Sequence, residues 1–116
     1  MDFNDNKPIY KQIVDYCFGC IMTGAWPPGQ RIPSVREMAV AMTVNTHTVL
    51  KAFEYMQAHE VIYPRRGMGY FLADDAQERV TQTRRQQFFE ETLPKVIEEM
   101  QKLNLTAPDI LPHLPK

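Results

Sequence analysis

The sequence predicts a mainly α-helical chain with one small β-hairpin. Apolar residues recur at helical spacing along most of its length. Serine, threonine and asparagine stand where helix starts need side-chain caps. One stretch, "VIYPRRGMGYFLA" (61–73), breaks that pattern with two runs rich in β-branched and aromatic residues around a glycine-containing turn.

The first helix is expected over residues 8–23. Pro8 suits a first turn, where its missing N–H costs nothing. Ile9, Ile13, Tyr16, Cys17, Cys20 and Ile21 form its expected apolar face, and Gly24 is a natural C-cap. "AWPPGQRI" (25–32) holds two prolines and a glycine and reads as a turn, with Trp26 covering the neighbouring core. A second, short helix opens at "PSVREMAVAM" (33–42). Ser34 with Glu37 three residues later is a capping box, in which each side chain satisfies the other residue's free backbone N–H. Val35, Met38, Ala39 and Met42 form its apolar face.

"TVN" (43–45) interrupts the chain, and Asn45 is placed to cap a third helix over 46–60. Val49, Ala52, Phe53 and Met56 form the buried stripe of that helix. Thr46, His47 and Thr48 begin the opposite face, followed by Lys51. Two helices joined by a three-residue turn, the second starting with small polar side chains, make a helix-turn-helix. In the hairpin that follows, Pro64 confines its strand to an edge, and Tyr63, Tyr70 and Phe71 are expected anchors. The order helix, helix, helix, hairpin is that of a winged helix-turn-helix DNA-binding domain.

Beyond Asp74 the pattern is helical again. One helix is expected over about 75–91. After a break at Pro94's first turn, a second capped by Thr92 runs to about 103. Phe88, Phe89, Leu93, Val96, Ile97, Met100 and Leu103 form an apolar stripe that so short a helix pair cannot bury well without a partner surface, which predicts dimerisation; the alternative is that the pair folds back on its own DNA-binding domain. A final turn is expected after Thr106, with Asp109 completing a capping box and Leu105, Ile110, Leu111 and Leu114 as its apolar residues. The expected domains are therefore a DNA-binding domain over 1–73 and a helical dimerisation segment over 74–116.

Length, 116 residues, suits one modest domain with an appendage. The net charge of −1 advertises no global basic field. Residues 1–72 carry seven Lys/Arg and six Asp/Glu, so a basic surface has to come from local placement. No apolar run approaches the roughly 20 residues of a membrane span. "MDFNDNKPIY" is polar and acidic, which excludes a secretory signal and predicts a cytoplasmic location. Cys17 and Cys20 have the C-x-x-C spacing of a redox pair or half a zinc site. They fall within a helical pattern, with only His47, His59 and His113 as further ligands and none of these paired. Both are read as small apolar side chains on one helix face. There is no expected metal, cofactor or catalytic residue, because no nucleophile has a local base and no nucleotide fingerprint is present.

"PPGQRIPSVREMAVAMTVNTHTVLKAFEYMQAHEVIYPRRGMGYFLA", with "PIYKQIVDYCFGCIMTGAW" before it, resembles the DNA-binding domain of GntR-type bacterial transcriptional regulators. The elements P-G-x-R-[IL]-P-S-x-R-x-[ML]-A, V-N-x-x-T-V and R-R-G-x-G-[YTF]-F agree in order across about residues 8–73. The short remainder resembles the YtrA-type branch, whose two C-terminal helices mediate dimerisation. About 43 residues cannot enclose a small-molecule cavity, so the effector is unknown. The resemblance implies a repressor that binds an inverted-repeat operator as a homodimer, with control of a transporter operon implied for that branch. The alternative is a winged-helix protein-interaction module without DNA binding.

On this reading double-stranded DNA meets Ser34 and Arg36 at the second helix, and Thr46, His47, Thr48 and Lys51 at the recognition helix. Arg65, Arg66 and Gly67 of the wing reach the backbone or the minor groove, whose negative potential favours arginine. Two departures stand out from the family's pattern. Met42-Thr43 replaces a common Leu-Gly, although Thr43 lacks glycine's freedom at positive φ. His47 occupies a position where Pro, Arg or Ser is common, which bears on base preference.

Overall fold

A computed structural model of the chain describes Phe3 and residues 6–116. Residues 1, 2, 4 and 5, part of the segment read above as no secretory signal, lie outside the described residues. The chain divides into two compact units, Met1–Thr81 and Gln82–Lys116.

In the first unit, α1 (Ile9–Met22) starts at Pro8 and closes at Thr23, and Gly24 then takes φ +81. Its buried face differs from the expected one. Ile13, Val14, Cys17, Phe18 and Ile21 are buried, whereas Ile9 and Tyr16 are exposed. Both stripes share Ile13, Cys17 and Ile21. The helix is rotated so that Phe18, the larger apolar side chain, is inside and the amphipathic Tyr16 is outside.

Helix α2 (Val35–Met42) has the predicted capping box. Ser34 Oγ accepts from Glu37 N–H at 3.1 Å, and Ser34 N–H donates to Glu37 Oε1 at 3.2 Å. Thr43 then turns the chain at φ +55, ψ +51, the left-handed region, so that Val44 N–H reaches back to the Ala39 carbonyl. A β-branched residue there is a genuine outlier. Asn45 Oδ1 accepts from His47 N–H at 2.7 Å and starts α3 (Thr46–Ala58). Val49, Ala52, Phe53 and Met56 are buried as the spacing predicts. Helix α3 packs against both α1 and α2.

Strands β1 (Ile62–Arg65) and β2 (Gly69–Leu72) pair antiparallel, with Arg65 opposite Gly69 and Pro64 opposite Tyr70. The segment read as a plain turn also joins this sheet. Ile32 N–H donates to Tyr70 O, Leu72 N–H to Gln30 O, and Arg31 bridges to Phe71. Strand β2 is therefore central, and β1, with its proline, lies on an edge. Tyr70 meets Phe53 edge-on, the ring centres 5.0 Å apart, and ties the hairpin to α3. The core closes with Ala76 and Val80 from the start of α4 (Ala76–Gln87).

In the second unit the expected break at Thr92 and Pro94 is absent. Thr92 is itself helical, at φ −76 and ψ −50, and makes no cap bond. The helix instead widens into a π turn over Phe88–Thr92, where Leu93 N–H reaches the Phe88 carbonyl, and continues as α5 (Leu93–Lys102). A wide turn just ahead of a proline makes room for a residue that cannot donate to the ordinary helical ladder. Asn104 turns the chain at φ +56. Thr106 N–H then donates to Asp109 Oδ2 at 2.9 Å and opens the short α6 (Ala107–Ile110), followed by a 3₁₀ turn at Leu111–His113. Every residue after Thr83 is at least partly exposed.

Candidate nucleic-acid interface

The predicted site residues sit on three elements of the first unit: the start of α2, the first two turns of α3 and the tip of the hairpin. At α2, the cap occupies both Ser34 N–H and the acceptor side of its hydroxyl. The hydroxyl also faces the Glu37 carboxylate, so the cap engages both sides of it. Arg36 is exposed one turn in and makes no ion pair among the described residues. Glu37 is the local anion. The Ser34 backbone N–H, then the Ser34 side chain and Arg31, hold its carboxyl below the usual carboxylate range.

On α3 the cap consumes His47 N–H, so the helix start presents its side chains as well as free amides. Thr46, His47 and Lys51 are exposed and Thr48 is half-buried. His47, Thr48 and Lys51 converge with Ile9 and Tyr10 of α1 around an open depression of about 370 Å³. The Lys51 ammonium lies 4.4 Å from the centre of the Tyr10 ring. Tyr10 in turn meets Tyr55, ring centres 6.5 Å apart. The α1 contribution escaped the sequence reading. Only the spacing of Lys51 on α3 was available there, and its partner is some forty residues away in the chain.

At the hairpin the two arginines part. The Arg65 guanidinium carbon lies 4.5 Å from the Phe71 ring centre and 5.7 Å from that of Tyr63, whose hydroxyl accepts from Nη2 at 3.4 Å. Arg66 is exposed and unpaired among the described residues. Arg66, Gly67 and Met68 form the loop, with Met68 N–H donating to Arg65 O and Gly67 at φ +74.

Cys17 is buried within α1, where burial, with Cys20 beside it, pushes its thiol far above the ordinary range. A redox or metal-binding cysteine needs the opposite shift. Among the described residues, no three His, Cys, Asp or Glu side chains are grouped to hold a metal. No helix there is long and apolar enough to cross a membrane.

Comparison with known proteins points the same way as this geometry. A family model described as "Bacterial regulatory proteins, gntR family" matches residues 9–72. The chain is 33% identical over 109 residues to the "Uncharacterized HTH-type transcriptional regulator YhcF" of Bacillus subtilis (strain 168), covering 94% of this chain and 88% of the relative. It is also 33% identical over 76 residues to the "HTH-type transcriptional repressor YtrA" of the same organism, covering 66% and 58%. Among solved structures, a "GntR family transcriptional regulator from Listeria monocytogenes" superposes with TM-score 0.72 at 37% identity over 94% of each chain. The DNA-binding domain of AraR, solved in complex with operator ORR3, superposes with TM-score 0.57 at 27% identity over 63% of this chain and 88% of that one.

Proposed function

Because the chain belongs to the GntR family of bacterial regulatory proteins and is a YtrA-like helix-turn-helix regulator that binds DNA, we propose that it is a homodimeric repressor of an inverted-repeat operator. The carrying observation is the capped, exposed start of α3, with Thr46, His47, Thr48 and Lys51 behind Asn45, on the helix that a helix-turn-helix lays in the major groove. In this reading His47 donates to a guanine edge or a phosphate, and Lys51 meets a phosphate. Ser34 and Arg36 clamp the backbone beside α2, and the wing reaches the adjacent backbone or minor groove through Arg66 and Gly67. Arg65 serves the same wing.

One such module offers few phosphate contacts and binds weakly alone. The second unit supplies a reason for two. Phe88, Phe89, Val96 and Ile97 are 43–58% exposed, and Leu93 and Met100 are half-buried. Leu93, Val96, Ile97 and Met100 follow i, i+3, i+4, i+7 along α5, the spacing of a helix-packing face. A second copy on a two-fold axis covers this face and sets two recognition helices on one side of the DNA. A regulator of this kind works in the cytoplasm, beside the chromosome. Control of a transporter operon rests on the resemblance to the YtrA branch.

The test is a gel shift on the gene's own upstream region. Binding is expected to weaken steeply as salt rises, because released counterions drive it. Absence of binding at low salt sinks this reading in favour of a protein-interaction module. Ile97→Glu is expected to give a monomer by analytical ultracentrifugation and to lose most operator affinity while its first unit stays folded. A dimer that persists in this variant overturns the assignment of the α5 face.

A further inference from the structure

Arg31 lies between the two elements that flank the recognition helix. Its backbone bridges to Phe71 of β2. Its side chain crosses the hairpin at Gly69. A Cβ placed on that glycine would stand 3.3 Å from Arg31 Nε and 3.8 Å from Nη2, so the missing side chain leaves the guanidinium its place. On its other side, Nη2 is 4.0 Å from Glu37 Oε1, the carboxylate that caps α2. The Arg31 side chain is 58% exposed, and the Glu37 pair is long, exposed on both sides and therefore weak. Resting on the DNA-binding reading above, we infer that Arg31 is a further phosphate-contacting residue, binding the DNA backbone between the start of α2 and the wing.

The chemistry follows from the fork geometry. A guanidinium has five donors and no acceptor, so one long pair to Glu37 leaves most of them open to a phosphate. Glu37 holds the side chain near the α2 start, and Gly69 keeps the wing side clear. The residue is thus held close to where the backbone must pass if Arg36 and Arg66 both reach it. Such a contact carries no base information and adds equally to all sequences.

The test uses the full-length protein and a random-sequence duplex, because the proposed contact ignores sequence. Binding is followed by fluorescence anisotropy between about 50 and 200 mM salt. Arg31→Ala is expected to reduce the magnitude of the slope of log K against log salt by about 1 per protomer, as for loss of one phosphate contact. Arg31→Lys, which keeps a point charge, is expected to retain most of that slope, although it cannot hold the hairpin with a planar fork. Arg66→Ala serves as the reference. If Arg66→Ala lowers the slope while Arg31→Ala does not, the inference about Arg31 fails and DNA binding stands. If Arg31→Lys loses as much slope as Arg31→Ala, the residue acts through the fold and the inference also fails. If the native protein does not bind the duplex at low salt, this inference and the proposed function fall together.

Discussion

Lys51 of the recognition helix rests its ammonium 4.4 Å from the centre of the Tyr10 ring, so a residue of the first helix orients a cation of the third. An exposed cation–π contact is worth about 0.5–1 kcal/mol. Tyr10→Leu is therefore expected to lower DNA affinity by about two- to fivefold, and Tyr10→Phe to leave it near the native value. Anisotropy titrations at fixed salt measure both. Equal affinity for the native protein and Tyr10→Leu shows that Lys51 needs no such support.

Arg65 and Arg66 are adjacent, yet their surroundings separate them. Arg65 lies over Phe71 and reaches the Tyr63 hydroxyl. Arg65→Ala is expected to cost stability on the order of 1 kcal/mol, from the lost cation–π contact and the side-chain packing that goes with it. Arg66→Ala is expected to leave the melting temperature unchanged and to weaken binding across all sequences. Thermal melts beside binding curves separate the two effects.

Thr43 occupies the left-handed region at φ +55 and is exposed. An L-residue there is strained by about 1–2 kcal/mol, and glycine escapes this. Glycine also gains freedom in the unfolded chain, which offsets about 0.4–1 kcal/mol. Thr43→Gly is expected to raise stability by roughly 0.5–1 kcal/mol. Urea denaturation checks it, and a lower midpoint contradicts the strain.

Glu37 gives the acid limb of stability a sign. Its folded pKa lies below the unfolded carboxylate value, chiefly through the Ser34 backbone N–H. Its contribution is therefore full above the unfolded pKa, about 4.3, and fades as pH falls through the folded value. Glu37→Gln keeps an acceptor for the cap but cannot titrate. Its melting temperature is expected to fall less than the native one between about pH 5 and pH 3. Parallel slopes for the two proteins remove Glu37 from the acid response.

The parts of the fold that depend on local chemistry could be read from the sequence. Ser34 with Glu37, and Asn45 before α3, are caps whose partners lie within three residues. The α3 stripe is similarly self-contained. Three features needed tertiary information. The face of α1 turned on Phe18 packing inside rather than Tyr16, and both choices fit helical spacing. Residues 29–32 pair with β2 although prolines surround them, because the pairing needs only a few residues. Ala76 and Val80 close the core from a helix that is otherwise polar. At the candidate site, residue types on α3 were readable. Tyr10 beneath Lys51 and Arg31 beside Gly69 were not, since each meets its partner across the fold.

The π turn at Phe88–Thr92 closes on a carbonyl five residues back, where an α-turn closes four back. It therefore stores one surplus residue. Loss of one codon there would restore an ordinary turn and leave everything from Leu93 onward on nearly the same side of the helix axis, because the residue lost is the one the wide turn absorbs. The direction in which the α5 stripe is offered would hardly change. The same loss within α5 itself has no such slack and would turn every side chain beyond it by about 100°. The π turn is thus the place in this segment where chain length can drift by one residue without moving the apolar stripe.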